Sequence, residues 1–218
     1  MNLVLSIVGT LVIIAAVVLV IVLNQSDDKK NFASSGGTSS SSKPAPSTSA
    51  APLPQPTAAC TKTSGSTVTF DGVTIKNATN LSVAPVVASK VTTGPPALVC
   101  ADLVVGKGAL ATPTSTVSVQ YVGSLLSNGT VFDSSWKNGG KPVSFPLTGV
   151  VPGFTQGIGG AGKAAPMRVG GRRIMILPAV LAYGASPPSG SGIPVNAPLV
   201  FIVDLKSITP PASSSAAG

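Results

Sequence analysis

Phe145-Pro146-Leu147-Thr148-Gly149-Val150-Val151-Pro152-Gly153-Phe154-Thr155-Gln156-Gly157-Ile158 decides how the second half of the chain is read. Pro152 stands near the start of a short apolar-periodic run and glycines follow its end, so Pro152–Ile158 reads as a short helix. It is the only helix expected in the C-terminal half. On either side the pattern is that of strands: Val99–Val105, Thr116–Val122 and Val143–Phe145 before it, Arg172–Ile176 and Leu199–Ile208 after it. Asn128-Gly129, between Ser124-Leu125-Leu126 and Val131-Phe132, reads as a turn. Ala185–Pro198, rich in Pro, Gly and Ser, reads as an exposed loop. The pattern is therefore that of an antiparallel β domain with five candidate strands and one short helix, α+β in class.

Composition narrows the chemistry. The 218 residues include no His and no Glu, and six Asp carry all the side-chain negative charge. A Ser-His-Asp triad, a His-activated Cys and the His-containing zinc sites are thereby excluded, and no metal or cofactor is expected. The globular stretch Leu98–Pro210 holds Asp102, Asp133 and Asp204. Asp102 and Asp204 read as strand-surface residues, so a carboxylate pair for hydrolysis is not expected. Any enzyme here works with almost no acid–base equipment.

The net charge of +8 and a pI near 9.8 do not signal a nucleic-acid partner. The 14 Lys and Arg are scattered, with Arg168, Arg172 and Arg173 as the one cluster, and aromatics are not interleaved with them. The basic balance reads as a solvated surface that could be drawn to anionic lipid. Gly157-Ile158-Gly159-Gly160-Ala161-Gly162-Lys163 mimics two phosphate-binding motifs, but a helix precedes it, and Ala164 stands where a Ser or Thr is needed. It reads as a Gly-Ala loop.

The N-terminal half divides by composition. Met1–Leu23 is nearly all apolar and uncharged, long enough at about 1.5 Å per residue for the ~30 Å hydrocarbon core. It lacks the basic start and small-residue cleavage site of a signal peptide, so residues 1–25 read as a transmembrane anchor. Residues 26–59, dominated by Ser, Ala, Pro, Thr and Gly, read as a disordered linker. In residues 60–97, Thr67–Phe70 and Val73–Lys76 flank Asp71-Gly72 as in a hairpin. Residues 98–210 form the main domain and 211–218 a disordered tail. Cys60 and Cys100, the only cysteines, are a candidate disulfide; the alternative is two unrelated free thiols. A disulfide and a long tether both favour an exported domain in the periplasm or at the cell surface. Lys29 and Lys30, just after the apolar run, favour the cytoplasm instead.

A longer constellation runs through the main domain: Val119-Gln120-Tyr121-Val122-Gly123, Gly129-Thr130-Val131-Phe132-Asp133-Ser134-Ser135, the Phe145–Phe154 stretch, Val169-Gly170-Gly171-Arg172-Arg173, Ile176-Leu177-Pro178, Leu181-Ala182-Tyr183-Gly184, Ile193-Pro194-Val195-Asn196-Ala197 and Leu199-Val200-Phe201. In order and spacing it resembles FKBP-type peptidyl-prolyl cis-trans isomerases in their membrane-anchored bacterial form. The resemblance implies a half-barrel whose sheet wraps the helix, with the site between them. It implies catalytic roles for Phe132, Asp133, Val151 and Tyr183, and a substrate pocket of Tyr121, Phe145, Val150, Phe154, Ile193 and Phe201. Proline-containing polypeptides are the implied substrates and macrolide-type compounds the implied inhibitors. Tyr183 hydroxyl and Val151 N–H would donate to substrate carbonyls, Asp133 and Tyr121 would form a buried polar pair, and Phe154 would floor the proline ring.

Three departures stand out. Phe154 replaces a frequent Trp, Val143 a frequent Phe, and Gly159–Pro166 reads as an insertion. Val195-Asn196 also replaces a frequent Pro-Pro or Pro-Asn. Two rival readings are a non-catalytic peptide-binding or chaperone module on the same fold, and a structural envelope protein whose function lies before residue 98.

Overall fold

The computed structural model describes residues 60–161 and 164–209. The expected anchor (1–25), linker (26–59) and tail (211–218) lie outside the described residues. Among the described residues no helix is long and apolar enough to cross a membrane.

Among the described residues, ten strands and one α-helix follow in chain order. Strands β1 (Thr61–Lys62), β2 (Thr67–Phe70), β3 (Val73–Lys76), β4 (Val86–Ala88), β5 (Val99–Val104), β6 (Thr116–Leu125), β7 (Val131–Ser134) and β8 (Val143–Pro146) precede helix α1 (Pro152–Gly159). Strands β9 (Arg172–Leu177) and β10 (Leu199–Thr209) follow it. The main sheet runs β1-β5-β9-β10-β6-β7, with β8 also on β6. It has seven strands rather than the expected five, and one pairing, β1 with β5, is parallel. The extra strands have local causes. β7 pairs with residues 122–124 of β6 and β8 with residues 116–119, so they share one outer lane. The lane breaks because Ser134 caps a 3₁₀ turn, Ser135–Asn138, by accepting the Trp136 N–H at 3.2 Å, and Gly139 then turns the chain at φ 72°. Cys60 is disulfide-bonded to Cys100, which brings residues 61–62 alongside 101–102 on β5.

The main sheet is covered on both faces, so its central strands are continuously apolar rather than alternating. All six residues of β9 are buried, as are the first seven of β10. Met175, Leu177, Phe201 and Val203 face α1, packing with Phe154 and Ile158. The alternate residues Ile174, Ile176, Val200 and Ile202 face a second sheet, β2-β3-β4, and pack with Val73, Ile75 and Val87. Residues 60–97 thus fold against the back of the main sheet. Asp71 and Gly72, at φ 48° and 76°, make the tight β2–β3 turn, a conformation suited to Asp-Gly.

This covering corrects two sequence expectations. Arg172 and Arg173 are buried rather than solvated; their partners are Asp204, also buried, and Asp102, half-buried. Arg172 reaches the back: Nε and Nη2 donate to Asp204 at 2.5 and 2.7 Å, and Nη1 donates to the Asn77 carbonyl at 2.7 Å. Arg173 reaches the front: it pairs with Asp102 at 2.7 and 3.1 Å and donates to the Gly157 and Ala165 carbonyls, both at 2.6 Å. Arg168 alone of the three is exposed. Strand residues read as surface from alternation are interior here because both faces of the sheet carry a layer.

Candidate active site

Between α1 and the main sheet lies a narrow cleft lined by Tyr121, Phe145, Val150, Val151, Phe154, Tyr183 and Phe201. Each side chain arrives from a different element. Tyr121 comes from β6, Phe145 from β8 and Phe201 from β10. Val150 and Val151 lead into α1, where Pro152 fixes the first turn and the Phe154 N–H bonds the Val151 carbonyl at 2.9 Å. Phe154, one turn in, points to the sheet because α1 lies close against it. Gly153 and Gly157 permit that approach, since a β-carbon at either would overlap Leu177 or Met175.

The phenylalanines meet edge to face. Phe154 and Phe201 have centroids 4.7 Å apart at 86°, Phe145 and Phe154 6.0 Å at 61°, and Phe132 and Phe201 5.6 Å at 84°. Such contacts place a ring edge on a neighbouring ring face and fix the walls. Phe132, outside the lining, backs Phe201. Ile193 is buried in the same core. Asp133 joins through Tyr121, whose hydroxyl donates to Oδ2 at 2.5 Å, while Oδ1 accepts the Ser134 N–H at 2.8 Å. Seven of the ten residues named from sequence therefore line the cleft, and Phe132, Asp133 and Ile193 stand directly behind the lining.

Burial governs the ionisation of the polar groups. It raises the Tyr121 phenol far above its usual range, and the neighbouring Asp133 charge adds to this. Tyr183 is pushed up to about 12, by burial first and the Asp133 charge second. Asp133 is itself raised by burial, opposed by its hydrogen bonds from Tyr121 and Ser134. Both phenols are thus protonated donors at neutral pH.

Several supporting residues carry no role in the sequence reading. Ser135, fully buried, accepts the Tyr121 backbone N–H at 2.9 Å. Gly123 lies under two rings: a β-carbon there would stand 2.7 Å from Phe132 and 2.8 Å from Phe201. Asn196, at φ 56°, donates its backbone N–H to the Gly184 carbonyl at 2.8 Å and so holds the turn that presents Tyr183. An isolated Gly within an alternating strand is the one sequence signal available for these, and it marks close approach.

Over 112 residues the chain is 46% identical to a Corynebacterium glutamicum protein named probable FK506-binding protein, spanning 51% of this chain and 86% of that one. The chain belongs to the FKBP family. The profile described as FKBP-type peptidyl-prolyl cis-trans isomerase matches residues 108–206. A Streptomyces anulatus FK506-binding protein is 43% identical over 117 residues, 52% of this chain and 89% of that one. The crystal structure of FkpA from Escherichia coli aligns with a TM-score of 0.46 at 38% identity, covering 52% of this chain and 48% of that one. Membership in the FKBP family makes the chain an isomerase. Strands β1 to β5 lie before the span that the FKBP profile matches.

Proposed function

We propose that the cleft accelerates rotation about X–Pro bonds of polypeptides by drawing the prolyl ring onto Phe154 and stripping water from its amide. The uncatalysed barrier is about 18–20 kcal/mol because amide resonance is lost on rotation. A twisted amide is less polar than a planar one, so an apolar cleft favours the transition state over the ground state. No proton leaves the substrate, which suits a chain without His or Glu. The observation that carries this reading is the lining itself: three edge-on phenylalanines with the neutral Tyr183 phenol at their margin. Tyr183 hydroxyl and Val151 N–H would donate to substrate carbonyls beside the proline. The Tyr121–Asp133 pair would stiffen one wall without contributing a proton. Macrolide-type inhibitors would compete for the same cleft.

We further propose that the clients are exported or envelope proteins and that residues 1–25 hold the enzyme at a membrane. The Cys60–Cys100 disulfide supports an oxidising compartment. Digestion by added protease of cells whose outer envelope is opened while the inner membrane stays intact tests this; a domain cut only after the inner membrane is broken would place it in the cytoplasm, as Lys29 and Lys30 favour.

The activity is tested by a protease-coupled isomerisation assay on the full chain, with short peptides that vary the residue before proline. The expected result is a rate above the spontaneous one that falls in Tyr183→Phe and Phe132→Ala. A folded chain with no rate enhancement for any peptide overturns the reading.

A further inference from the structure

The segment joining the second sheet to β5 touches the end of β6 and the loop that leads into β10. After β4, Ser89 is buried, and its hydroxyl donates to the Leu126 carbonyl at 2.5 Å. The Leu126 N–H in turn donates to the Pro198 carbonyl at 3.2 Å. Further along, Gly94 lies against the Pro198 ring so closely that a β-carbon would stand 2.7 Å from the proline Cβ. Pro198 ends the loop that carries Ile193 into the cleft core and ties Asn196 to Gly184, next to Tyr183. The segment therefore reaches Pro198, the end of this loop, in two ways: by a polar relay through Leu126 and by direct contact of Gly94 with the ring.

We propose that Ser89 and Gly94 are positioning residues for the isomerase. They fix the Ile193–Pro198 loop and through it the Tyr183 turn, and so set how tightly the residues flanking the substrate proline are held. This inference rests on the isomerase reading of the cleft. It makes residues 60–97 a working part of the site although they precede the span shared with the family. Neither residue reaches the cleft lining, so the effect falls on binding and peptide preference, and the chemistry of rotation is left intact.

The test uses the full chain, with Ser89→Ala and Gly94→Ala compared against Val87→Ala, which thins the core of the second sheet without touching either contact. Ser89→Ala orphans the Leu126 carbonyl and Gly94→Ala displaces Pro198. Each is expected to raise KM about three- to fivefold, the worth of one hydrogen bond, with kcat little changed. The rise should differ among peptides that vary the residues beside proline, while Val87→Ala lowers stability and leaves KM unchanged. Amide exchange at Asn196 is expected to quicken in Ser89→Ala alone of the Ser89 and Val87 variants. Unchanged KM and unchanged Asn196 exchange in a folded Ser89→Ala protein overturn the inference, as does an equal KM shift in Val87→Ala. Should Gly94→Ala not fold, Ser89→Ala decides. A wild-type chain without activity defeats the isomerase reading instead, and the Asn196 exchange still judges the coupling.

Discussion

Arg172 and Arg173 are adjacent on β9 and point through opposite faces of the main sheet, each neutralised by an aspartate from a different flanking strand. Arg172 meets Asp204 on β10 and binds the carbonyls of Asn77 and Val83 in the connection between β3 and β4; Arg173 meets Asp102 on β5 and binds the carbonyl of Gly157 in α1. One dipeptide thus fastens both outer layers to the central one. The strand period of two residues makes this possible, since consecutive side chains leave opposite faces.

Arg172→Met leaves the Asp204 carboxylate buried and unpaired, and the expected loss is about 3–5 kcal/mol. Adding Asp204→Leu removes the stranded charge and should restore most of it. Urea unfolding of the single and double variants checks this. A double variant no more stable than the single would show that the carbonyl contacts of Arg172, rather than its charge, carry the stability.

The two tyrosines of the chain are both at the cleft, and both phenols ionise later in the folded state than their ordinary value of 10.0. The unfolded chain therefore loses protons first as pH rises. Their contribution to stability is full below pH 10; the Tyr183 part is lost as pH climbs through about 12, and the Tyr121 part holds to higher pH still. Phenolate absorbance should appear together with loss of circular dichroism. Phenolate forming near pH 10 in a fully folded protein would contradict the burial argument.

Tyr183→Phe removes one donor while keeping the ring, so kcat/KM should fall severalfold, about 1 kcal/mol in the barrier. Asp133→Val should weaken catalysis modestly while the domain stays folded. Steady-state kinetics and circular dichroism on the two proteins separate these outcomes. An unchanged rate removes Tyr183 from the mechanism, and an unfolded Asp133→Val assigns Asp133 to structure.

Gly123→Ala drives a methyl group into the Phe132 and Phe201 rings. Overpacking of this kind costs about 1–3 kcal/mol. Since Phe201 is cleft lining, isomerase activity should fall along with the thermal midpoint. Normal activity at a lowered midpoint would mean that the rings shift together and keep the cleft's shape.

Reduction of the Cys60–Cys100 bond, which closes a separation of 40 residues, should lower stability by roughly 4 kcal/mol on the chain-entropy account. Denaturant midpoints with and without reductant measure it. No change would indicate that packing of the second sheet alone fixes the segment.

The cleft lining was legible through the family resemblance, which rests on side chains of distinctive type: six aromatics and an Asp at set intervals do not arise from generic patterning. The α1 boundaries were readable from Pro152 and the following glycines. What escaped was whatever depended on the second layer. Alternation in Thr67–Lys76 signals a hairpin but says nothing of what it packs on, so Asp102, Asp204, Arg172 and Arg173 read as surface. The split of the outer lane into β7 and β8 turns on one side-chain cap at Ser134, a feature too local for strand periodicity to register. The supports at Ser135 and Asn196 act through backbone groups, whose partners depend on three-dimensional neighbours that spacing does not encode.

The cysteine bridge also has a mechanical meaning. Cys60 opens the described chain and Cys100 lies within the main sheet, so the second sheet hangs in a covalently closed side loop between them. Tension applied to the chain before Cys60 passes through sulfur straight to β5 and bypasses β2, β3 and β4. With the bridge intact, the second sheet is out of the load path and cannot be peeled away by a pull from that side. With the bridge reduced, the same pull is carried by the short parallel pairing of β1 and then by the hairpin itself.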